Sequence, residues 1–394
     1  MVLLVLAGGS GAYFVTFEYG MYEIVLATTL TVAALLLNFT VRGAPSGGNT
    51  QPRRAEFKRF QRLYLAGFLL GMVSDWLHGP YIYALYESYD MRPRDIAHLF
   101  IGGFGSSMIF GTFAGSFADR WGRKRSALLF CLVYFIACCT KHVMNFWVLL
   151  AGRVLAGVAC SLLFSVFEAW MVCAHKQRGF REEWLEETFY LAHMGNGMVG
   201  ALAGVAAQIA ADATPLVDAP MLSALPIEQG RVRWGGFVTP FDLSSVALII
   251  CAAVVSQWTE NYGSAESSVR SRGEKNTVSV GEKKTPLAVT KGTTRLGTSE
   301  TSAAAELAAA AHTASGLAYA ARVLFTSRDM MLCGVAAAAF EAAMFVFVFM
   351  WTPALEALDD TIPHGIVFSS FMLCSVVGAQ LASLLGRTPL GLEA

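Results

Sequence analysis

Long apolar stretches separated by short polar segments run along almost the whole chain. A helix needs about 20 mostly apolar residues to cross the hydrocarbon core of a bilayer. Nine stretches satisfy this requirement, and each predicts a transmembrane helix. They cover residues 22–41, 63–86, 96–118, 126–144, 147–173, 189–211, 237–257, 329–352 and 365–386. The pattern therefore predicts an all-α polytopic membrane protein.

The polar segments between these stretches alternate between rich and poor in Lys and Arg. The rich segments are 42–62, 119–125, 174–188 and 258–328. The loops between them, such as 87–95 and 353–364, carry more acidic than basic residues. Positively charged loops stay on the cytoplasmic side of a membrane. We therefore expect the rich segments to be cytoplasmic and the start of span 22–41 to be outside.

Three segments outside the predicted helices have different compositions. Residues 1–20 are apolar but broken by Gly-Gly-Ser-Gly and Glu18, so they could be a targeting segment, a weak extra span or an upstream extension. The missing charged n-region favours the last two over a cleaved signal peptide. Residues 263–300 are rich in Ser, Thr, Gly and Lys and should be disordered. Residues 302–325 are Ala-rich and are either a linker or a helix on the membrane surface.

These elements predict a domain organisation of six parts. The parts are an N-terminal extension (1–21), an extra transmembrane helix (22–41), a basic cytoplasmic loop (42–62), a first six-helix bundle (63–257), a largely disordered cytoplasmic loop (258–328) and the first two helices of a second bundle (329–394). Two G-x-x-x-G motifs, Gly111/Gly115 and Gly200/Gly204, predict close helix packing.

Composition supports the membrane assignment and excludes several other classes of protein. The chain is 55% hydrophobic and 15% charged, whereas soluble domains contain about 25% charged residues. Its formal net charge of zero gives no reason to expect a nucleic-acid partner. The eight cysteines form no C-x-x-C pair, so we expect neither a metal site nor a disulfide framework. Hydrolase, metalloprotease and phosphate-loop motifs are missing, so we expect no cofactor and no enzyme activity.

One polar loop carries a specific motif. Residues 115–124 read G-S-F-A-D-R-W-G-R-K and match the pattern G-x-x-x-D-R-x-G-R-[RK]. This loop resembles the signature of the major facilitator superfamily, which implies the fold of that family and a gating latch between two bundles. The latch residues would be Gly115, Asp119, Arg120, Gly122, Arg123 and Lys124. Asp119, at a helix end, is expected to accept hydrogen bonds from the N-terminus of a partner helix.

Further segments are similar to one branch of that superfamily, the eukaryotic molybdate-anion transporters. They include D-W-L-H-G-P-Y at 75–81, F-S-V-F-E-A-W at 164–170, W-T-E-N-Y at 258–262 and F-E-A-A-M-F-V-F-V-F-M-W-T-P at 340–353. The resemblance implies an extra N-terminal helix, twelve further spans, and transport of molybdate or a related oxyanion, with the plasma membrane as the expected location. It also implies four more spans after residue 394.

Four ionisable residues stand out within the predicted spans: Asp75, Arg153, Glu168 and Glu341. Charges inside a membrane are costly and are functional candidates. By the resemblance, their spans line the central cavity. Arg153 either contacts an oxyanion, whose oxygens match the guanidinium fork, or tethers its helix to a neighbour.

His78 and Tyr81 extend this set of candidates. His78 is three residues after Asp75, so both lie on one helix face, and the following Gly79-Pro80 should interrupt the helix. His78 is expected to make an interhelical hydrogen bond or, as the less favoured reading, to contact substrate. Tyr81 adds a hydroxyl donor.

The three acids suggest coupling to protons. Molybdate is a dianion near neutral pH, and ionised carboxylates facing the cavity would repel it. Burial in aromatic surroundings such as those of Glu168 and Glu341 favours the neutral form of a carboxylic acid. We therefore hypothesise proton-coupled import with Asp75, Glu168 and Glu341 as candidate proton sites, at least one of which has a structural role instead.

Two other functions remain open at this point. The same fold would serve a facilitator of a sugar, an organic anion or a drug. With only two helices of the second bundle, the chain could also be a truncated membrane scaffold or sensor that transports nothing.

Overall fold

The computed structural model describes residues 25, 26, 29, 30, 52–218, 232–263, 322, 325–357 and 362–385. Nine helices make up almost all of this part of the chain. They are α1 (Pro52–Trp76), α2 (Ile82–Glu87), α3 (Pro93–Trp121), α4 (Arg123–Cys139), α5 (Phe146–Gln177), α6 (Glu182–Ala213), α7 (Thr239–Val255), α8 (Arg328–Glu356) and α9 (His364–Leu385). Strands β1 (Val217–Asp218) and β2 (Arg233–Trp234) pair antiparallel, with Val217 opposite Trp234. The predicted all-α architecture is confirmed.

Seven segments of the described residues are long and apolar enough to cross a membrane. They are Pro93–Trp121, Arg123–His142, Phe146–Gln177, Glu182–Ala213, Gly236–Val255, Arg328–Glu356 and His364–Leu381. Of the two other predicted spans, 22–41 lies mostly outside the described residues, although Val25, Leu26, Thr29 and Leu30 are helical. The predictions for residues 1–21 and for most of 258–328 also lie outside them.

The predicted span 63–86 differs most from the structure. Its helix ends at Trp76, a turn follows, and the helix resumes at Ile82. Pro80 lies within that turn, and proline cannot donate the hydrogen bond that would continue a helix. The expected interruption at Gly79-Pro80 is therefore present.

At its other end, α1 begins at Pro52, whereas residues 42–62 were predicted to be a loop. Two basic residues of this segment, Arg54 and Lys58, have a partner on α6. Arg54 Nη2 lies 2.6 Å from Glu187 Oε2, and Lys58 pairs with the other carboxylate oxygen. Phe57 is fully buried and packs against Trp184 at 4.9 Å between ring centroids. The predicted boundary between a basic loop and a helix at residue 63 is therefore wrong, because the helix already begins at Pro52.

The chain divides into two compact units, Met1–Tyr262 with Thr352–Ala394, and Gly263–Trp351. Within the first unit, α3 and α5 approach until their backbones touch. A Cβ atom on Gly157 would lie 2.2 Å from the Gly103 carbonyl oxygen and 2.0 Å from Ser106 Oγ. A side chain at position 157 is therefore incompatible with this packing.

Helices α6 and α9 also pack closely, as the Gly200/Gly204 motif predicts. A Cβ atom on Gly204 would lie 2.6 Å from the carbonyl oxygen of Gly365, and one on Gly200 would lie 2.5 Å from the Met372 side chain. The sequence analysis placed α9 in a second bundle, but in the structure it belongs to the same unit as α6. By contrast, a Cβ atom on Gly115 would meet nothing within 4 Å among the described residues.

Candidate functional site

The signature loop is the tight connection between α3 and α4. The single residue between these helices is Gly122, whose φ of +111° disfavours any residue with a side chain. Asp119 Oδ1 accepts hydrogen bonds from Arg123 Nη2 at 2.6 Å and from Arg123 Nε at 3.0 Å. Arg120 is exposed, and Gly115 is half-buried. Asp119 thus binds within its own loop, and a partner for it in a second bundle stays a prediction.

A residue that the sequence analysis did not select, Glu260, holds this loop against the end of α7. Its Oε1 accepts a hydrogen bond from the backbone N–H of Lys124 at 2.9 Å, and its Oε2 accepts one from the N–H of Arg125 at 3.3 Å. These N–H groups belong to the first turn of α4, where helices leave donors unsatisfied and a negative charge is favourable. Glu260 therefore caps α4 from a distant part of the sequence.

The segment that carries Glu260 is itself fixed by aromatic packing. Trp258 is buried and stacks on Trp170 of α5, with ring centroids 4.0 Å apart. Trp170 Nε1 donates to the Thr259 carbonyl oxygen at 2.7 Å, and Asn261 Nδ2 donates to the Trp170 carbonyl oxygen at 3.1 Å. The W-T-E-N-Y segment thus joins α5, α7 and the signature loop at one end of the helices.

Asp75 lies at the end of α1 among groups from two other helices. Its Oδ1 accepts hydrogen bonds from the Tyr134 hydroxyl at 2.5 Å and from Cys160 Sγ at 3.4 Å. Tyr134 belongs to α4 and Cys160 to α5. The carboxyl of Asp75 is therefore held at a three-helix junction, half-buried.

His78 lies in the same junction and makes the interhelical contact expected of it. Its Nε2 lies 3.0 Å from Ser244 Oγ of α7 and 3.3 Å from Cys138 Sγ of α4. The ring of His78 meets Tyr134 edge to face at 4.8 Å between centroids, which links it to the Asp75 contact. Tyr81, three residues after His78, is buried, and its ring stacks on that of Phe237 with 5.4 Å between centroids.

Arg153 lies about two turns into α5, which begins at Phe146, and reaches toward α3. Its Nε donates to the Leu99 carbonyl oxygen at 3.3 Å, and its guanidinium carbon lies 4.8 Å from the centroid of Phe100. It also interacts electrostatically with Asp75, beyond ion-pair distance. Arg153 therefore has the backbone tether that the sequence analysis considered, and contact with an oxyanion stays a prediction.

Glu168 and Glu341 differ from expectation, because both side chains are exposed. The prediction of burial in aromatic surroundings is wrong for both. In a helix, consecutive residues point about 100° apart, so the sequence neighbours of Glu168, such as the buried Phe167 and Trp170, lie on other faces. Glu341 lies in the unit Gly263–Trp351, whereas Asp75 lies in the other unit.

Comparison with known proteins agrees with this architecture. A family model described as sugar transporters with 12 transmembrane spans matches residues 21–285 and 299–391. The chain is 34% identical to the molybdate-anion transporter of Danio rerio over 339 residues, which is 86% of this chain and 62% of that protein. It is 31% identical to the molybdate-anion transporter of Xenopus laevis over 342 residues, 86% of this chain and 61% of that protein. The chain spans about three-fifths of the length of these curated relatives.

Among solved structures, a peptide transporter in complex with sulfate aligns with 92% of this chain and 73% of its own length, at 15% identity and a TM-score of 0.40. The signature loop, the helical architecture and the family match over most of the sequence point the same way. The chain belongs to the major facilitator superfamily, in the group that contains the molybdate-anion transporters.

Proposed function

We propose that the chain acts in secondary active transport and imports an oxyanion, with molybdate as the substrate, by alternating access. Membership of a transporter superfamily supports transport rather than enzyme activity. The names of the curated relatives support molybdate among the possible substrates. The observation that carries the proposal is Arg153, a guanidinium within a membrane-spanning helix that has no carboxylate within ion-pair distance among the described residues.

We further propose that import is coupled to protons through Asp75. This carboxyl interacts electrostatically with Arg153, the candidate anion-binding residue. Its hydrogen bond from Tyr134 can reverse, since a protonated carboxyl donates where a carboxylate accepts. Neutralising Asp75 would remove its repulsion of a dianion at the moment of binding. Glu168 and Glu341 are alternative proton sites, each accessible to solvent or lipid in the structure.

Uptake of radiolabelled molybdate by cells that express the chain tests both proposals. We expect uptake above that of cells carrying an empty vector, competition by unlabelled sulfate, and faster uptake as the external pH falls. Asp75→Asn should flatten the pH dependence, because the amide keeps an oxygen for Tyr134 but cannot take up a proton. Glu168→Gln and Glu341→Gln serve as matched acid-to-amide variants. A pH dependence that is unchanged in all three variants would rule out coupling through these acids.

A sugar substrate is the second candidate, because the matching family model is described by sugar transport. The same cells would be supplied with labelled pentose and hexose. Sugar uptake that molybdate does not inhibit, together with no molybdate uptake, would favour this candidate. We place the protein in the plasma membrane as part of the proposal, and labelling of intact cells with an impermeant biotin reagent tests that location.

A further inference from the structure

Lys141 is a buried lysine close to the end of α4. It lies in the 3₁₀ turn Thr140–His142 that follows α4, at the end opposite to the signature loop, and 2% of its surface is exposed. Lysine is almost never fully buried without a partner of opposite charge. An isolated ammonium inside a protein costs several kcal/mol in lost hydration. The surroundings of Lys141 should therefore contain a compensating group.

The contacts of Lys141 supply hydroxyl and ring groups. Its Nζ donates a hydrogen bond to the Tyr86 hydroxyl at 2.8 Å and lies 5.3 Å from the centroid of the same ring. Tyr89 donates from its hydroxyl to the Lys141 carbonyl oxygen at 2.6 Å. Across the described residues, none of the ion pairs involves Lys141.

A second cation, Arg153, lies on the helix against which the turn of Lys141 packs, since a Cβ atom on Gly152 would lie 1.9 Å from Thr140 Oγ1. Lys141 and Arg153 interact unfavourably with each other, and both act on His78. The polar contact of Arg153 is the Leu99 carbonyl oxygen, and the faces of Phe100 and Phe104 flank it. Two acids lie on this side of the junction. Asp75 interacts with Arg153 but already accepts hydrogen bonds from Tyr134 and Cys160, and Asp242 pairs with His142, the neighbour of Lys141, at 2.9 Å. The carboxyls near the two cations thus already have other partners, and neither forms an ion pair with Lys141 or Arg153.

We propose that Lys141 and Arg153 together bind the transported oxyanion, Lys141 as a point charge and Arg153 as a fork of donors. This inference rests on the proposed function and names the second cationic residue of its substrate site. The two negative charges of a tetrahedral dianion would balance the two cations, and its oxygens would accept hydrogen bonds from both side chains. The Tyr86 hydroxyl accepts a hydrogen bond from Lys141 and so holds its ammonium in place.

The alternative is that Lys141 only ties its turn to Tyr86. The two roles differ in what they require, since a tether depends on the Tyr86 hydroxyl whereas anion binding depends on the positive charge. Lys141→Arg retains the charge, Lys141→Met removes it at similar length, and Tyr86→Phe removes the tether alone. Lys176→Met, which removes an exposed lysine from the other end of α5, is the matched control.

The test is equilibrium binding of radiolabelled molybdate to the purified chain and its variants in detergent. We expect Lys141→Met to raise the Kd about ten- to a hundredfold, the loss typical of one hydrogen bond to a charged group. Lys141→Arg, Tyr86→Phe and Lys176→Met should stay within about threefold of the unchanged protein. Equal losses in Lys141→Met and Tyr86→Phe, or no loss in Lys141→Met, would overturn the inference.

The proposed function and this inference fail in different ways. If the unchanged protein binds neither molybdate nor sulfate, the proposed substrate is wrong, whereas binding that ignores Lys141 contradicts the inference alone. Should Lys141→Met not fold, the unchanged protein is compared with molybdate and with perrhenate, a tetrahedral oxyanion of single charge. If two cations bind the anion, the singly charged perrhenate should bind at least about tenfold more weakly than molybdate. Equal affinity for the two anions would overturn the pairing of Lys141 with Arg153.

Discussion

Removing the Glu260 carboxylate should destabilise the junction between the signature loop and the end of α7. In Glu260→Ala, the N–H groups of Lys124 and Arg125 lose an ionised acceptor at 2.9 Å and 3.3 Å. Hydrogen bonds to charged groups contribute about 1.5–3 kcal/mol each, and a helix cap contributes about 0.5–2 kcal/mol in total. Because water can reach the freed first turn of α4, we expect a loss near 2 kcal/mol rather than the sum.

Two further variants refine this estimate. Glu260→Gln keeps an acceptor oxygen but loses the charge, so about 1 kcal/mol should be lost, the range of a charge at a helix N-terminus. Gly122→Ala should also destabilise the loop, since its Cβ would lie 2.7 Å from the Glu260 carboxyl at a φ of +111°. Of the two changes at position 260, Glu260→Ala should therefore lower the free energy of unfolding more than Glu260→Gln.

The free energy of unfolding can be measured by titrating the purified chain in mild detergent with a denaturing detergent. Tryptophan fluorescence is a suitable signal, because Trp258, which stacks on Trp170, lies in the same short segment as Glu260. Glu183→Ala is the control, since its ion pair with Arg181 is mostly exposed and should contribute little. The capping argument fails if Glu260→Ala lowers the free energy of unfolding no more than Glu183→Ala does.

Two other predictions concern helix packing and orientation. Gly204→Ala should lower the free energy of unfolding by about 1–3 kcal/mol, because its Cβ would lie 2.6 Å from the Gly365 carbonyl oxygen; Gly105→Ala, with nothing within 4 Å, should change it by less than about 0.5 kcal/mol. Equal effects would refute the close approach of α6 and α9. Arg120→Cys should react with an impermeant maleimide in opened cells alone and Arg92→Cys in intact cells, relative to the unchanged chain, and the reverse pattern would refute the predicted orientation.

Much of the fold could be predicted because helices in lipid must satisfy their backbone hydrogen bonds internally. A continuous apolar stretch therefore specifies a helix with little ambiguity, and the predicted span 147–173 corresponds to α5 (Phe146–Gln177). Hydropathy is less informative where polar residues are paired. The start of α1 at Pro52 depends on Glu187, which lies more than 120 residues further along the chain. No local pattern contains that information.

The candidate site was predictable to a smaller extent. Asp75 and His78 could be selected because ionisable residues are rare within apolar stretches, but their partners on α4, α5 and α7 depend on tertiary packing. Glu168 met the same sequence criterion and is exposed. A charged residue inside a predicted span is therefore only a candidate for the site. The helix face on which it lies decides whether its side chain reaches a junction between helices or an exposed surface.

Lys141 shows why the electrostatics of a site are difficult to infer from sequence. It lies near the end of the predicted span 126–144, where lysine normally extends its ammonium to the interface. In the structure the turn after α4 instead directs Nζ to the Tyr86 hydroxyl, within range of Arg153. The sum of charges in the region, rather than the identity of any one residue, is what favours an anion. The whole chain has no net charge, so the proposed selectivity for an oxyanion depends on such a local excess of positive charge, and the proposal predicts that loss of the Lys141 charge weakens anion binding.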